Sequence, residues 1–230
     1  MELKQLAPGV WYRPYEPERD RPMLCYIRGG RYALAVDAGY SRAQVQDFNR
    51  LGGAAGLPPP DFTAITHWHF DHTLGMAHIH GASVASQATN AHLRDWQARA
   101  RQPGCAEDLR RTDRFFAAEY PAGPMPQIAQ ADILFRDRLT LALGGVTAEL
   151  FRVVSPHTED SACVYLPEKR LLFLGDSVCE DVYNGGILDR RRLAALVETI
   201  RGIDCDCCVL SHEPPLPKRQ LLAELEAELD

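Results

Sequence analysis

Short apolar segments alternate with polar turns along most of the chain, and the period of the apolar positions separates predicted strands from predicted helices. The strands predicted from alternating or continuous apolar runs lie at 9–13, 23–28, 31–37, 62–66, 82–86, 132–135, 139–143, 147–154, 161–167, 170–176 and 207–211. The predicted helices lie at 41–50, 89–100, 106–120, 190–202 and from residue 217 onward. Because strands followed by a helix occur twice, we expect two packed sheets with helices on the outside.

Small and capping residues mark several of the element boundaries. The pair Gly29-Gly30 predicts a hairpin turn between two of the early strands. Ser41 is a suitable N-cap, and the pair Gly52-Gly53 predicts the end of the helix that Ser41 begins.

The length of the chain suits one large domain with its own core. With 230 residues and no break that demands two units, we expect a single domain over residues 1–230. The two helices that follow the strand at 82–86 form a predicted helical insertion near 88–122. Hydrophobic residues make up 46% and charged residues 24%, which excludes a disordered or fibrous chain.

The net charge and the lack of long apolar segments argue against nucleic-acid and membrane partners. A formal net charge of -6 argues against nucleic acid held by a broad basic surface. The first residues lack the pattern of a secretory leader, and no apolar segment approaches the length of a membrane span. We therefore expect a cytoplasmic protein without a nucleic-acid or membrane partner.

The cysteine content fits a reducing compartment. Seven cysteines form an odd set without regular spacing, which suits free thiols better than a disulfide framework. Their one cluster is Cys205, Cys207 and Cys208. A soft-metal site there lacks a second cysteine pair, so a buried strand is the favoured interpretation.

Residues 66–72, with the sequence THWHFDH, concentrate metal-ligating side chains. His67 and His69 project to the same side of an extended strand end, so they can reach one ion together. Thr73 to Ala77 are predicted to be helical, so Asp71 and His72 lie where the chain turns and should point elsewhere. The motif therefore predicts two half-sites rather than one.

Each half-site needs further ligands, because a catalytic zinc takes about three protein groups and leaves a position for water or substrate. His157, Asp176 and His212 each follow a predicted strand. Loops at strand ends bring side chains from distant segments together, so these three residues are the candidate ligands.

The chain resembles the metallo-β-lactamase superfamily of metallohydrolases. The resemblance rests on VDAG at 36–39, THWHFDH at 66–72, the run SPHTEDSACVYLPEKRLLFLGD at 155–176 and SH at 211–212. It implies an α+β fold, an αββα sandwich of two mixed sheets flanked by helices, with the metal centre along one edge. It also implies site one from His67, His69 and His157, site two from Asp71, His72 and His212, and Asp176 bridging both.

The resemblance further implies a dinuclear centre that generates a bridging hydroxide. Two divalent ions carry four positive charges, and Asp71, Asp176 and one hydroxide neutralise three of them. The remaining net charge of about +1 favours a small anionic substrate or an oxyanion. Asp71 would also orient the nucleophile and carry its proton. Zinc is the first choice because no redox machinery is visible, although imidazole and carboxylate ligands also suit iron and manganese.

Departures from known branches narrow the substrate. The commonest secreted β-lactamases have a cysteine where this chain has Asp176 and lack the equivalent of His72, which disfavours antibiotic hydrolysis. The remaining group comprises thioesterases, lactonases and related esterases, so we expect cleavage of a small ester, thioester or lactone. Tyr183 would polarise the substrate carbonyl, as a tyrosine does in lactonases. Its spacing from Asp176 is longer than the lactonase pattern, and packing of the loop is the alternative.

Two alternatives to a hydrolase stay open. An iron-dependent oxygenase of the persulfide dioxygenase type keeps HxHxDH but holds one metal through the first two histidine ligands and the bridging aspartate. A non-catalytic metal-binding scaffold is disfavoured because every ligand position is filled. The sequence does not decide the substrate, the oligomeric state, or whether Arg94, Arg99 and the loop 14–22 line the pocket. His78, His80 and His92 are interpreted as structural or solvated histidines.

Overall fold

The computed structural model describes residues 2–229, which form two β-sheets with helices outside them. The first sheet contains, in spatial order, β1 (Lys4–Ala7), β2 (Val10–Arg13), β3 (Leu24–Arg28), β4 (Ala33–Val36), β5 (Phe62–Ala64), β6 (Ala82–Ser86) and β7 (Ile133–Phe135). The second contains β8 (Arg138–Ala142), β9 (Thr147–Arg152), β10 (Ala162–Leu166), β11 (Leu171–Gly175), β12 (Cys207–Leu210) and β13 (Leu216–Pro217). Both sheets are mixed, because β4–β7 pair in parallel within the first and β11 pairs in parallel with β12 within the second.

The helices cover the outer faces of the sheets. They are α1 (Arg42–Ala54), α2 (Phe70–Thr73), α3 (Gln87–Ala100), α4 (Cys105–Thr112), α5 (Arg114–Glu119), α6 (Arg190–Gly202) and α7 (Lys218–Leu229). Phe48 of α1 packs against the first sheet, and Leu196 of α6 and Leu225 of α7 belong to a cluster with the second. Apolar side chains of both sheets, such as Ile27 and Phe173, fill the space between them. The predicted α+β sandwich of two mixed sheets flanked by helices is therefore confirmed.

Most predicted elements are present, and the differences have local causes. Helix α1 continues through Gly52 and Gly53 to Ala54, because glycine weakens a helix without forbidding it. The predicted helix 106–120 is interrupted at Asp113, whose side chain caps α5 by accepting from the Phe115 and Phe116 amides. The short edge strands β1 and β13 are not predicted from the apolar pattern, since edge strands need little burial.

The hairpin predicted at Gly29-Gly30 joins β3 to β4, with residues 29–32 forming its turn. The Gly29 amide donates to the Tyr32 carbonyl at 2.9 Å. A Cβ atom at Gly29 would lie 2.1 Å from the carbonyl oxygen of Leu143, in the turn of the second sheet. Glycine is therefore required here by the close approach of the two sheets.

Along the chain, helices α3, α4 and α5 connect β6 to β7, in the region where the sequence predicts a helical insertion near 88–122. Their apolar side chains, including Leu93 and Phe116, pack with Trp68 and Phe70 of the histidine-rich motif. The insertion therefore forms one wall beside the edge at which that motif lies. No helix in the range 2–229 has the length and apolar character needed to cross a membrane.

Candidate metal centre

The predicted metal ligands meet at one edge of the two sheets, although they come from segments far apart in the chain. This edge holds the ends of β5, β11 and β12 and the connection between β9 and β10. A hydrogen bond from the Ala162 amide to the Thr66 carbonyl (2.8 Å) links the sheets there. All seven predicted ligands lie in two neighbouring groups that could each hold a metal ion: His67, His69, Asp71, His72, His157, Asp176 and His212.

Site one consists of three buried histidines. His157 Nε2 lies 2.9 Å from His69 Nδ1 and 3.2 Å from His67 Nε2. His157 Nδ1 lies 2.8 Å from the Glu180 carbonyl oxygen, which can only accept, so this nitrogen carries the proton. The lone pair of His157 Nε2 therefore faces the other two histidines.

Site two consists of two histidines and two carboxylates. Asp71 Oδ2 lies 3.0 Å from His72 Nε2 and 3.1 Å from His212 Nε2. Asp176 Oδ2 lies 3.2 Å and 3.4 Å from the same two nitrogen atoms. Asp71 and His72 are in the short helix α2, which begins at Phe70. The chain therefore turns earlier than the predicted helix at Thr73 to Ala77, within the motif itself.

Asp176 lies between the two groups. Its Oδ2 atom is 3.8 Å from His157 Nε2 and 4.0 Å from His67 Nε2, besides its closer contacts with His72 and His212 in site two. Asp176 follows Gly175, which adopts a left-handed backbone with a φ of 58°. A Cβ atom at position 175 would lie 2.7 Å from Thr66 Oγ1, so glycine lets the end of β11 approach the motif.

Asp37, at the end of β4, orients histidines of both sites. Its Oδ2 atom lies 2.9 Å from His72 Nδ1. Its carboxylate also accepts from the Thr66 amide at 2.8 Å and from the Thr66 hydroxyl at 3.0 Å. Thr66 Oγ1 in turn lies 3.0 Å from His67 Nδ1. A carboxylate partner on the outer nitrogen directs the other ring nitrogen toward a metal.

The histidines of site one are poised as neutral ligands. Burial, and next the proximity of His72, lowers the pKa of His67 well below 6.5. Burial, and next His157, lowers the pKa of His69 to about 3. Because a metal ion binds unprotonated imidazole, these two side chains need not lose a proton before binding at neutral pH.

In site two the pKa values of the histidines are raised, in contrast to site one. Burial alone would lower the pKa of His72, but the carboxylates of Asp71, Asp176 and Asp37 outweigh it and raise this pKa well above 6.5. The same competition, dominated by Asp176, raises the pKa of His212 to about 10. Burial alone would raise the pKa values of Asp71 and Asp176, yet the neighbouring histidines hold both well below 3.8. Both carboxylates are therefore stabilised by positive charge beside them.

These residues fit divalent metal ions. Asp176 Oδ1 is a buried oxygen with no hydrogen-bond partner among the described residues, which leaves it a free ligand atom. Imidazole nitrogens and carboxylate oxygens are the ligand types that zinc, iron and manganese accept. A divalent ion would also supply the positive charge that protonated His72 and His212 otherwise provide in site two.

Two cavities adjoin the centre and share Trp68, His92 and Tyr183 as a common wall. The polar cavity, of about 450 Å³, reaches His69 and is further lined by residues such as Thr158, Asn184 and Arg192. The aromatic cavity, of about 460 Å³, is further lined by Asp95, Trp96, Arg99 and Leu109. The shared wall places both cavities beside site one.

Tyr183 lies at the mouth of the centre. Its ring centroid is 4.7 Å from those of His69 and Trp68. Tyr183 is 47% exposed, so part of its side chain is open to solvent. Partial burial, and next the carboxylate of Asp71, raises the pKa of Tyr183 above 10.0, and its hydroxyl is therefore protonated at neutral pH.

The structure separates the residues whose position the sequence left open. Both arginines are exposed, but Arg99 lines the aromatic cavity, whereas Arg94 belongs to neither cavity. The loop 14–22 reaches the centre through Asp20, whose Oδ1 atom is 3.7 Å from His212 Nδ1.

His92 is partly buried and packs in the wall beside the centre. It lines both cavities, and its ring stacks on Trp68 with centroids 5.4 Å apart. Helical periodicity alone does not reveal which wall that face of α3 forms. His78 and His80 lie outside the two ligand groups and outside both cavities. Cys205 and Cys208 are buried beside or within β12, as the strand interpretation expects.

Comparison with known proteins agrees with this architecture. The family profile described as the metallo-beta-lactamase superfamily matches residues 25–212, so the chain belongs to that superfamily. The chain is similar to the acyl-coenzyme A thioesterase MBLAC2 of Gallus gallus, with 27% identity over 201 residues that cover 81% of this chain and 67% of that protein. Superfamily membership and the His/Asp cluster together indicate a metal-dependent hydrolase that binds divalent metal.

Similar solved structures share the fold. One is the sec-alkylsulfatase Pisa1 from Pseudomonas sp., with a TM-score of 0.75 and 12% identity over 99% of this chain. The chain spans only 41% of that enzyme's length. Another is a metallo-beta-lactamase from Pontibacter korlensis, with a TM-score of 0.66 and 20% identity, covering 99% of this chain and 97% of that protein.

Proposed function

We propose that the protein is a dinuclear zinc hydrolase that cleaves a small ester, thioester or lactone, with a thioester as the leading substrate. The observation that carries the proposal is the position of Asp176 Oδ2, which lies 3.2 Å from His72 Nε2 and 3.8 Å from His157 Nε2. One carboxylate oxygen within reach of both ligand groups suits a pair of metal ions that share it. The thioesterase activity of the Gallus gallus relative supports the choice of bond.

The ligand roles follow the two groups. In this proposal His67, His69 and His157 would hold one ion, Asp71, His72 and His212 would hold the other, and Asp176 would serve both. When bound, the metal ions would lower the pKa of water to about 7, supplying hydroxide at neutral pH, and would polarise the substrate carbonyl.

Asp71 is proposed to orient the attacking water and to accept its proton. Its neighbouring histidines keep the carboxyl ionised, so its oxygen atoms can accept a hydrogen bond from the attacking water at neutral pH. The residue is partly exposed, unlike the buried His72 beside it, so it can meet both the centre and the solvent. The carboxylate can then pass the proton to the leaving group or to water.

Tyr183 is proposed to donate a hydrogen bond to the carbonyl oxygen as negative charge develops on it. The protonated hydroxyl and the contact of the ring with His69 support this role. A donor fixed where charge develops stabilises the transition state more than the ground state.

The size of the surroundings supports a small substrate. The two cavities adjoining the centre each measure about 450 to 460 Å³, the scale of a small-molecule site. In the polar cavity Arg192 lies 3.8 Å from Asp189, and two further carboxylates line the wall. The anionic group of the substrate is therefore proposed to bind in the aromatic cavity, which Arg99 lines.

The proposal is tested by supplying zinc-loaded protein with a panel of esters, thioesters, lactones and phosphodiesters. We expect turnover of thioesters or other carboxylic esters that a chelator abolishes and added zinc restores. Turnover restricted to phosphodiesters, or no turnover in the whole panel, would contradict it. The same panel in an oxygen electrode separates hydrolysis from the iron-dependent oxygenase alternative.

A further inference from the structure

Arg99 is exposed, and its side chain stacks on Trp96 without a polar partner among the described residues. Its guanidinium carbon lies 3.8 Å from the ring centroid of Trp96, so the two planar groups are in contact. Within residues 2–229 the guanidinium makes no hydrogen bond or ion pair, although Asp95 lines the same aromatic cavity. A guanidinium that stacks through its face keeps its N–H groups free at its edge.

Aromatic contacts connect Arg99 to the metal centre. The rings of Trp96 and Trp68 are 5.8 Å apart and nearly parallel, with an interplanar angle of 25°. Trp68 in turn contacts His69 of site one at a centroid distance of 4.5 Å. Arg99 therefore stands at the far end of an aromatic wall that begins at the centre, with about 460 Å³ of open space along it.

We propose that Arg99 binds a carboxylate or phosphate group of the substrate, at the end of the substrate remote from the bond that is cleaved. The inference rests on the proposed esterase or thioesterase function. The planar edge of arginine matches two oxygen atoms of either anion, and stacking on Trp96 holds that edge in place before binding. The apolar atoms of Trp96, Trp68 and Leu109 that line the cavity would accommodate the part of the substrate between the anion and the carbonyl.

The test uses thioesters with one acyl group and leaving thiols of equal length that end in a carboxylate, a phosphate or a neutral amide. We expect Arg99→Gln to lower the preference for the anionic over the neutral substrate by about tenfold in kcat/KM, chiefly through KM. Arg94→Gln is the matched control, because it removes the same charge from the same helix outside both cavities. The carboxylate and phosphate arms identify which anion the site selects.

A second readout does not depend on catalysis. Nonhydrolysable thioethers with the same three end groups are titrated while the fluorescence of the cavity tryptophans is followed. We expect the Kd of an anionic thioether to rise about tenfold relative to that of the neutral one in Arg99→Gln, and not in Arg94→Gln. Unchanged preferences in both assays would overturn the proposal. If no thioester is hydrolysed while the anionic thioether still binds through Arg99, the proposed function fails and this site stands.

Discussion

Asp37 Oδ2 lies 2.9 Å from His72 Nδ1, and through Thr66 the same carboxylate also reaches His67. Because this pairing fixes which ring nitrogen faces the centre, we expect Asp37→Asn to weaken metal binding by about 10- to 100-fold. Titration with zinc against a chromophoric chelator measures the change.

Asp132→Asn is the matched control for that substitution. Asp132 accepts hydrogen bonds from the Ser83 amide (2.8 Å) and hydroxyl (2.7 Å) but is not a member of either ligand group. The Asp132→Asn protein should therefore bind zinc with the affinity of the unmodified protein. Equal zinc affinity of Asp37→Asn and Asp132→Asn would show that the carboxylate beside His72 has no part in orienting it.

Variants of the two ligand groups should differ in metal content. His67→Ala removes a ligand of site one alone, so we expect it to lose mainly one ion. Asp176→Ala removes the oxygen shared by both groups, so we expect it to disturb both. Metal analysis after gel filtration measures the content, and circular dichroism checks the fold. An Asp176→Ala protein that still holds two ions per chain would refute the bridging role.

Replacement of Tyr183 by phenylalanine tests the proposed role of its hydroxyl. The ring contacts with His69 and Trp68 stay, while the donor is lost. We expect kcat to fall about 100-fold with a smaller change in KM, as when a donor to a developing oxyanion is removed. Tyr32→Phe, which alters an exposed tyrosine outside the centre, should retain full kcat. A Tyr183→Phe enzyme with unaltered kcat would assign Tyr183 to packing of the loop.

The buried carboxyl of Asp160 makes stability depend on pH. Burial raises its pKa above the ordinary value of 3.8, although the Thr158 hydroxyl donates to Oδ1 at 2.7 Å. The folded state then holds this proton more tightly than the unfolded state does. The stability from this group is therefore fully present below about pH 4 and is lost as pH rises through the folded pKa.

Asp160→Asn keeps the acceptor for Thr158 and cannot ionise, so it should lose less stability than the unmodified protein as pH rises from about 4 to 7. Urea unfolding of metal-free protein at a series of pH values measures the difference. Asp132 has the opposite effect on the pH dependence of stability. Hydrogen bonds from Ser83 lower its pKa, so its contribution to the free energy of unfolding is lost as pH falls. A pH-independent difference between Asp160→Asn and the unmodified protein would contradict this account.

The sequence predicts the fold, and it predicts which residues meet at one edge of the sheets, because both depend on spacing. His67 and His69 differ by two positions at a strand end, and His157, Asp176 and His212 each follow a strand that ends at the same edge. Parity along a strand and the position of strand ends are readable from apolar periodicity.

Other parts of the site could not be predicted, since they depend on contacts between distant elements. The tautomer of His157 is fixed by the backbone carbonyl of Glu180. Every residue has such a carbonyl, so the sequence does not reveal this contact. His92 and Arg99 lie in the cavity walls because of how α3 packs beside Trp68, and amphipathic spacing does not tell which residues meet a cavity. The helix of the motif begins at Phe70 because the turn is stabilised by contacts, such as that of the Thr73 hydroxyl with the Trp68 carbonyl.

The central claim is a dinuclear centre that hydrolyses a thioester or related ester. Metal content per chain, measured on one preparation together with thioester turnover and oxygen consumption, tests it most directly. The account predicts two zinc ions per chain and hydrolysis without oxygen uptake. One iron ion per chain, with oxygen consumed in step with turnover, would contradict it.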